Sequence, residues 1–389
     1  EHRNIVSLAT SCDYVALNKD TVWLSTGSIS FDATTIEYWG TLLNGGNLIL
    51  STTETLLNTD ELKALIQEKQ VKTMWMTASW FHQVVAEDLS VFGSLEYLLV
   101  GGDIVLSNFT NQVKEQYPAL TIINGYGPTE NTTFSTTHSI EVTDKALPIG
   151  KPIKNSYAYI INGNIDLVPV GVVGELVVGG SGVARGYLNQ EELTNEKFVS
   201  NPFRNGDRLY KTGELARWLP DGNIEFVGRK DNQVKIRGYR IELGEVEHAL
   251  SMLSGVNQSC VLVKNDHNGE KQLFAYAVLE GNSDKAELQQ ALKQDLPDYM
   301  IPQHWIFLEE MPLNNNGKID RKSLPEPDSS ALSSKEYVAP ATAIEVLLAA
   351  IWQDLLGVEK VGIHDNFFEL GGLSLLATRL VSAIRKDLE

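Results

Sequence analysis

The sequence predicts an α/β protein of more than one domain, and three features carry that prediction. Short apolar runs typical of strands alternate with amphipathic helical stretches from residue 21 to about residue 227. The chain has 389 residues, which is more than the ~250–300 residues that one hydrophobic core usually supports. Beyond residue 228 the pattern changes to charged strands mixed with helices, and from residue 339 it is helical.

Five apolar runs in the first region are expected to form strands. They are residues 22–25, 48–50, 73–76, 97–102 and 121–127. Two stretches with apolar residues at helical spacing, 59–70 and 107–117, are expected to form helices between them. After residue 140 the sequence is rich in glycine and strand-forming residues, as in 174–180. These elements predict one large α/β domain over residues 1–227.

The remainder of the chain is expected to hold two smaller domains and a linker. Residues 228–325 predict an α+β domain in which a charged strand pair leads into a helix and two further strands. Residues 324–340 are rich in proline, serine and charge, which predicts an extended linker over residues 326–338. In residues 339–389 apolar side chains recur at helical spacing, first from Ile344 to Leu355 and again after Ser374. Two short helices bury little surface, so this all-α domain is expected to be a partial helical bundle.

Composition argues against several classes of protein. Lys and Arg number 32 against 50 Asp and Glu, a net charge of −18, whereas a nucleic-acid-binding surface needs a basic footprint. The two cysteines, Cys12 and Cys260, provide neither a disulfide framework nor a metal cluster. The N-terminal residues lack the apolar region of a signal peptide, and no run of ~18 apolar residues occurs. We therefore expect a soluble, cytoplasmic protein with no nucleic-acid or membrane partner.

The segment Asn124-Gly-Tyr-Gly-Pro-Thr-Glu130 follows an apolar strand and has the features of a ligand-binding loop. Its glycines allow the backbone to approach a ligand closely. The hydroxyl of Thr129 suits a phosphate oxygen, and Glu130 offers a hard oxygen to Mg²⁺. An ordinary strand-to-helix turn, capped by Thr129 or Asn131, explains the same residues, and the motif alone leaves both interpretations open.

Three further segments also have both a functional and an ordinary interpretation. Carboxylates within residues 210–222 can hold ribose hydroxyls, although Asp221-Gly222 alone is a hairpin turn. Residues 228–240 have the alternation of an exposed, charge-rich strand. Residues 314–318 form a turn that would place Lys318 at a loop tip, where a lysine is usually solvated. The glycine loops of dinucleotide-binding and Walker type are absent from the sequence.

Together and in this order, these motifs resemble the adenylation domain of non-ribosomal peptide synthetases, within the acyl-adenylate-forming enzyme superfamily. The resemblance covers residues 1–325 and rests on GYGPTE, GELVVGGSGVARGYL, YKTGELARWLPDGNIEF, GRKDNQVKIRGYRIELGEVE and NNNGKIDRKSLP. It implies that residues 1–227 are the C-terminal portion of the large core subdomain and residues 228–325 the small mobile subdomain. The segment DNFFELGGLSLLATRL (365–380) is similar to the start of a peptidyl carrier domain, here truncated.

The resemblance implies a ligase that uses ATP and Mg²⁺ to convert an amino acid into an aminoacyl-adenylate. The amino acid then passes to the 4′-phosphopantetheine arm of the adjacent carrier, in the synthesis of a peptide such as an antibiotic. The implied partners are the amino acid, coenzyme A with a phosphopantetheinyl transferase, the upstream half of the adenylation domain, and neighbouring condensation or tailoring domains. Such chemistry needs cations, hydroxyl groups and backbone that approaches the substrate closely, to position the reactants and stabilise charge, rather than a covalent nucleophile.

The resemblance also assigns roles to individual residues. Lys318 would bridge the substrate carboxylate and the nucleotide, while Thr129 contacts a phosphate and Glu130 binds Mg²⁺. The residues assigned to the nucleotide are Asn124, Tyr126, Gly127, Glu214 and Arg229. Asp231 is placed at the hinge about which the small subdomain rotates. Ser374 is placed at the phosphopantetheine attachment point; without the surrounding motif it would be an ordinary helix-capping serine.

The amino-acid pocket can be assigned by position within the same resemblance. Asp32 matches the residue that pairs with the substrate's α-ammonium, although it can equally cap the helix expected from Ala33. The positions that line the side-chain pocket are Ala33, Ile36, Trp75, Leu99, Gly101, Gly125, Thr133 and Phe134. None of them carries charge, so a charged substrate side chain would be buried without a partner. Trp75 and Phe134 reduce the volume, which favours a branched aliphatic substrate: valine first, then isoleucine or leucine.

The sequence departs from the family pattern at three points. The family has a Ser/Thr/Gly-rich phosphate loop upstream of the segment that resembles residues 1–8, so roughly the first half of the large domain is expected elsewhere. Glu214 stands where relatives have aspartate, and its extra methylene is expected to shift the carboxylate by ~1.5 Å. Leu373 replaces the polar residue usual before the carrier serine.

Two other functional hypotheses stay open at this point. One is an acyl- or aryl-acid ligase that releases its thioester to coenzyme A. Asp32 and the carrier-like tail argue against it, because a substrate without an α-ammonium does not need that carboxylate. The other is a catalytically inactive fragment that acts only as carrier or scaffold, which the expected lack of the phosphate loop and the presence of Glu214 would suit.

Overall fold

The computed structural model describes most of the chain. The described residues are 1–230, 233–236, 239–265, 271–280, 285–312, 319–326, 338–356, 358, 360–365, 367, 370, 380 and 384. The chain divides into two compact units, Glu1–Asp231 and Asn232–Glu389. The predicted α/β class is confirmed. The boundaries expected at residues 227, 325 and 338 stay predictions.

The first unit begins with helix α1 (His2–Thr10) and continues into a seven-stranded sheet. Its strands are β1 (Val22–Leu24), β2 (Asn47–Ile49), β3 (Thr73–Thr77), β4 (Tyr97–Gly101), β5 (Thr121–Tyr126), β6 (Thr136–Ser139) and β7 (Lys151–Pro152). The helices between them are α2 (Ala33–Thr35), α3 (Thr53–Leu57), α4 (Thr59–Glu68), α5 (Ala78–Glu87) and α6 (Ser107–Gln116), and a π-helical turn, Ile36–Gly40, follows α2. The strand order is β2-β1-β3-β4-β5-β6-β7, parallel up to β5 and antiparallel after it.

Local sequence explains where these helices start and which face they bury. The side-chain oxygen of Asn58 accepts hydrogen bonds from the backbone N–H groups of Asp60 and Glu61, and so caps α4. One turn further on, Leu62 and Ile66 are buried on the face of α4 that packs into the core. The helices predicted over 59–70 and 107–117 are confirmed as α4 and α6. Within the described part of the chain, no helix combines the length and apolar character needed to cross a membrane.

The central strands present alternate residues to two different cores. Met74 and Leu98 pack under α5 and α6 in one hydrophobic cluster. Trp75, Leu99 and Ile123 lie directly opposite one another across β3, β4 and β5, and they contribute to a second cluster on the other face. Because successive strand residues point to opposite faces, two predicted pocket residues, Trp75 and Leu99, necessarily share one face of the sheet.

A second, antiparallel sheet completes the first unit. Its elements are β8 (Ser156–Ile161), β9 (Gly174–Gly180), α7 (Glu191–Lys197), β10 (Phe198–Ser200), β11 (Arg208–Trp218) and β12 (Ile224–Arg229), in the strand order β10-β11-β9-β8 with β12 paired to β11. The N-terminal helix ties onto the segment after β9. The buried amide of Asn4 donates hydrogen bonds to the carbonyl of Ser181 at 2.5 Å and to that of Val183 at 3.2 Å.

The second unit is a small α+β assembly followed by a helix. Its elements are β13 (Gln233–Ile236), β14 (Tyr239–Glu242), α8 (Leu243–Ser251), β15 (Val256–Asn265), β16 (Lys271–Leu279), α9 (Lys285–Leu292), β17 (His304–Phe307) and α10 (Ala343–Leu356). β13 and β14 form a hairpin, and β16 pairs with β15 antiparallel and with β17 parallel. The helix predicted from Ile344 is confirmed as α10. Its first turn is solvated, with Ile344 58% exposed, whereas Ile351 and Leu356 are buried.

His82, on α5, should make the stability of the first unit depend on pH. Its Nε2 accepts the backbone N–H of Leu106 at 3.2 Å, and its ring stacks on Phe109 at 4.5 Å. Burial lowers the pKa of His82 to about 4, with Asp103 opposing the shift. Since an unfolded histidine has a pKa near 6.5, the unfolded chain binds a proton that the folded chain rejects. Stability should therefore fall as pH drops from about 6.5 towards 4.

The measurement is the urea midpoint at pH 7 and at pH 5, for the wild type and for His82→Gln, in which an amide oxygen can accept from the same N–H. The midpoint of the wild type should fall more than that of the variant. His2→Gln, at an exposed histidine of α1, is the matched control and should behave like the wild type. Equal pH dependence in His82→Gln and the wild type would contradict the prediction.

Candidate functional site

The predicted loop Asn124–Glu130 lies at the end of β5, where the chain turns back into β6. The turn includes a single 3₁₀ turn, Thr129–Asn131, and then Thr132 and Thr133, whose φ angles are 56° and 65°. Such left-handed backbone reverses the chain within a few residues. Gly127 makes the reversal possible, because a Cβ atom there would overlap the carbonyl oxygen of Thr133. The loop therefore folds directly onto its own return segment.

Asp32 is held by this turn through two hydrogen bonds. The hydroxyl of Thr129 donates to its carboxylate oxygen Oδ2 at 2.7 Å, and the hydroxyl of Thr133 donates to its backbone carbonyl at 2.7 Å. Asp32 immediately precedes α2, yet its side chain makes no capping hydrogen bond, so the interpretation of Asp32 as a helix cap is wrong. The carboxylate predicted for the substrate ammonium thus lies beside the hydroxyl predicted for a phosphate.

Apolar residues predicted to line the pocket gather on the sheet face described above. Ile36, Leu99 and Phe134 belong to one buried cluster, and Trp75 packs against it. Gly125 lies against the ring of Phe134, because a Cβ added there would be 2.5 Å from ring atom Cε1. The remaining predicted lining residues are Gly101, which is paired with Gly125 across β4 and β5, buried Ala33 at the start of α2, and Thr133. The structure therefore brings together an uncharged wall with one carboxylate, Asp32, at its edge.

Two predicted nucleotide residues, Asn124 and Tyr126, lie on the face of β5 opposite to that of Ile123. Asn124 donates its side-chain N–H to the carbonyl of Pro148 at 2.8 Å. Tyr126 packs into the core of the second sheet and its hydroxyl donates to Oε2 of Glu214. Arg229 donates to the other oxygen of Glu214 at 3.0 Å. Burial and the adjacent Glu214 raise the pKa of Tyr126 well above its ordinary value, so the phenol stays a neutral donor.

Glu130 is a buried carboxylate held by two phenols. Its Oε1 accepts the hydroxyls of Tyr187 at 2.6 Å and Tyr210 at 2.7 Å. Burial, followed by the hydrogen bond to Glu130, raises the pKa of Tyr187 far above its ordinary value, so this phenol stays a neutral donor. A carboxylate fixed by neutral donors beside the Thr129 hydroxyl offers hard oxygen ligands. That donor set fits Mg²⁺, which takes one or two carboxylates and completes its shell with water and substrate phosphates.

Sequence reasoning missed three residues of this region: Glu37, Tyr187 and Tyr210. Glu37 lies in the π-helical turn one residue after Ile36, and it is fully buried. An acidic residue in a short helical segment normally indicates a solvated face, so sequence gave no reason to place it inside. Tyr187 and Tyr210 stand 57 and 80 residues from Glu130 in sequence, and no local pattern predicts that they converge on it.

Three predicted residues, Lys318, Asp231 and Ser374, lie outside the described residues. The chain just after Lys318 is described from residue 319, and it is held to α8 by an ion pair. Arg321 forms a two-pronged ion pair with Glu247 of α8, with Nη2 at 2.8 and 3.0 Å from the two carboxylate oxygens. A hydrogen bond between two charged groups is stronger than one between neutral groups.

Comparison with known proteins identifies the family. The model of the AMP-binding enzyme family matches residues 1–188, that of its C-terminal domain matches residues 245–318, and that of the phosphopantetheine attachment site matches residues 346–389. Tyrocidine synthase 3 of Brevibacillus parabrevis is 48% identical over 390 aligned residues, and surfactin synthase subunit 2 of Bacillus subtilis 47% over 387. These alignments cover 100% and 99% of the chain, but only 6% and 11% of the two relatives.

Solved structures agree. One similar structure is holo-PA1221, a non-ribosomal peptide synthetase protein with adenylation and carrier domains, bound to a vinylsulfonamide inhibitor. It superposes with a TM-score of 0.83 at 34% sequence identity, and the alignment covers 99% of this chain and 64% of PA1221. AB3403, a four-domain non-ribosomal peptide synthetase bound to AMP and glycine, superposes with a TM-score of 0.56 at 35% sequence identity. That alignment covers 98% of this chain and 29% of AB3403. The chain therefore belongs to the AMP-binding enzyme family, as part of an adenylation domain of non-ribosomal peptide synthetase type followed by the start of a phosphopantetheine carrier domain.

Proposed function

We propose that the protein activates an amino acid as aminoacyl-AMP and loads it as a thioester on the phosphopantetheine arm of its own carrier domain. The observation that carries the proposal is the placement of Asp32. Its carboxylate is fixed by Thr129 at the edge of a wall of uncharged side chains. A buried wall of that kind suits an apolar side chain, and the carboxylate at its edge suits the α-ammonium of the same substrate.

In this proposal the chain's residues act by positioning. Asp32 binds the α-ammonium and so directs the substrate carboxylate towards the α-phosphate of ATP, where attack releases pyrophosphate. Thr129 donates its hydroxyl to a phosphate oxygen, Glu130 would hold Mg²⁺, and Lys318 would bridge carboxylate and nucleotide. Mg²⁺, when bound, supplies positive charge that offsets the charge on the phosphates. Asp231 keeps the proposed role of hinge between the two half-reactions.

Valine is the proposed substrate, with isoleucine or leucine next. Trp75 and Phe134 occupy space on the wall, and Leu99 and Ile36 add only apolar contacts. Discrimination by one methylene in such a pocket is worth only ~1–3 kcal/mol, so related branched substrates should react more slowly rather than not at all. The alternatives are an acyl- or aryl-acid ligase, and an inactive fragment that serves only as carrier or scaffold.

Amino-acid-dependent ATP–pyrophosphate exchange, measured in the natural full-length protein, tests the activity. Valine should give the fastest exchange of the twenty amino acids. The Asp32→Asn variant should lose about 10- to 150-fold in kcat/KM for valine, because a hydrogen bond to a charged group is worth ~1.5–3 kcal/mol. Asp60→Asn, at an exposed carboxylate in the first turn of α4, is the matched control and should keep wild-type exchange.

A substrate without the amine separates the alternatives. 3-Methylbutanoate has the side chain of valine and no α-ammonium, so it should be a poor substrate of the wild type. The ratio of kcat/KM for valine to kcat/KM for 3-methylbutanoate should be smaller in Asp32→Asn than in the wild type. Preference for 3-methylbutanoate over every amino acid would favour the acyl-acid ligase, and absence of exchange with all substrates would favour the inactive fragment.

Glu214 is expected to weaken nucleotide binding relative to an aspartate at the same position. The longer side chain allows its carboxylate to reach the hydroxyl of Tyr126 while it pairs with Arg229. Glu214→Asp should withdraw the carboxylate by ~1.5 Å and return it to the position that suits ribose hydroxyls. The KM for ATP should then fall, measured by the same exchange assay; an unchanged or higher KM would count against a ribose role for Glu214.

Ser374 is the proposed attachment point of 4′-phosphopantetheine, with coenzyme A and a phosphopantetheinyl transferase as the partners of that modification. Further proposed partners are the rest of the adenylation domain and neighbouring condensation or tailoring domains. An intact mass spectrum after treatment with coenzyme A and the transferase should show one added arm, and Ser374→Ala should abolish it. Addition that persists in Ser374→Ala would move the attachment point elsewhere.

A further inference from the structure

Glu37 is a carboxylate with no exposed surface in the first unit, and none of the roles above uses it. It lies in the π-helical turn Ile36–Gly40 and is 0% exposed. Single π-helical turns are uncommon and occur frequently at functional sites. Taking a carboxylate out of water is costly unless donors surround it. The partners of Glu37 therefore show what its burial achieves.

All the hydrogen-bond donors recorded for Glu37 come from one short segment after β1. The hydroxyl of Ser25 donates to Oε2 at 2.8 Å. The backbone N–H of Thr26 donates to Oε1 at 3.1 Å, and the N–H of Gly27 lies 3.3 Å from the same oxygen. Burial raises the pKa of Glu37, and the hydrogen bonds from Thr26 and Ser25 oppose that shift. One side chain thus holds residues 25–27 at three points.

The same segment reaches the wall of the amino-acid pocket. The hydroxyl of Thr26 has one hydrogen, which it donates to the backbone carbonyl of Trp75 at 2.5 Å, while the backbone N–H of Thr26 donates to Oε1 of Glu37 at 3.1 Å. Trp75 contributes its side chain to the pocket wall from β3, and Ile36 contributes from the residue next to Glu37. Thr26 and Glu37 therefore form a bridge between the strand that carries one wall residue and the helical turn that carries another.

This geometry has a consequence for the width of the pocket. An apolar side chain at position 37 would fill the space without a desolvation cost, but it would not fix the orientation of residues 25–27. With the carboxylate in place, the separation of Trp75 and Ile36 depends on hydrogen bonds, which are directional, and not only on packing. Discrimination between substrates that differ by one methylene requires that kind of fixed separation.

We propose that Glu37 and Thr26 are specificity-positioning residues, which set the width of the amino-acid pocket by holding Trp75 and Ile36 at a fixed separation. The inference rests on the proposed function. It adds two residues that do not contact the substrate yet determine which branched aliphatic side chain is preferred.

The test compares the preferred amino acid with the substrate one methylene larger, in the natural full-length protein, using pyrophosphate exchange. Thr26→Val keeps the shape of the side chain and removes the hydroxyl that donates to the carbonyl of Trp75. The ratio of the two kcat/KM values should fall about five- to tenfold, part of the ~10–200-fold that one methylene is worth. The KM for ATP should stay within about twofold, since the hydrogen bonds that link Tyr126, Glu214 and Arg229 do not involve Thr26.

Two further variants keep the test decisive if Thr26→Val does not fold. Glu37→Gln keeps the volume but replaces one accepting oxygen with a donor, and Ser25→Ala removes one hydrogen bond to Glu37. Both should lower the ratio in the same direction, Ser25→Ala by less. Thr110→Val is the control: it removes the hydroxyl of a buried threonine, which donates to the Ser107 carbonyl at 3.1 Å within α6, and it should leave the ratio unchanged.

The outcomes distinguish this inference from the proposal on which it rests. Loss of kcat/KM by the same factor for both amino acids, in Thr26→Val and Glu37→Gln alike, would show a merely structural role and overturn the inference. A wild-type ratio in all three variants would overturn it as well, while the proposed function would stand. Absence of exchange with any amino acid in the wild type would remove the proposed function, and the inference with it.

Discussion

The close approach of backbone at the end of β5 is the constraint on which the site depends. A side chain at position 125 would clash with the ring of Phe134, and one at position 127 would clash with the carbonyl oxygen of Thr133. Any larger residue at either position would push the return segment away from the strand. Thr133 would then lose the hydrogen bond that it donates to the backbone of Asp32. Two glycines thus determine whether the carboxylate and the apolar wall meet.

Three buried carboxylates form hydrogen bonds that connect segments distant in the sequence. Glu37 joins the turn after β1 to the helical turn beside the pocket. Glu130 joins the end of β5 to Tyr187 and to Tyr210 of β11, and both donors are neutral phenols. Glu214 of β11 bridges Tyr126 of β5 and Arg229 of β12. Apolar contacts tolerate small shifts, whereas a desolvated carboxylate that loses its donors is strongly destabilising, so these residues hold the site in register.

Sequence reasoning recovered the features that depend on neighbours in the chain. The first strands follow from short apolar runs, and the helices α4 and α6 follow from apolar residues at helical spacing. It also singled out Asp32 through a motif, but it missed Glu37 five residues later. The difference is physical: the partners of Glu37 depend on how the segment after β1 folds back, and a single acidic residue has the same local signature whether it is solvated or buried. Hydrogen bonds between distant segments produce no periodic pattern in the sequence, so periodicity cannot predict them.

The hydrogen bond between Thr129 and Asp32 makes the two predicted ligand sites interdependent. A hydroxyl has one hydrogen, and in this structure Thr129 donates it to the carboxylate across 97 positions of sequence. A phosphate oxygen that accepted this hydrogen would take it from Asp32, and that carboxylate oxygen would then accept from a different donor. An α-ammonium, with three N–H groups and a positive charge, would be such a donor. In the proposed function, binding of the amino acid at Asp32 would therefore free the hydrogen of Thr129 for the nucleotide, and by linkage binding of the nucleotide would favour the amino acid to the same degree.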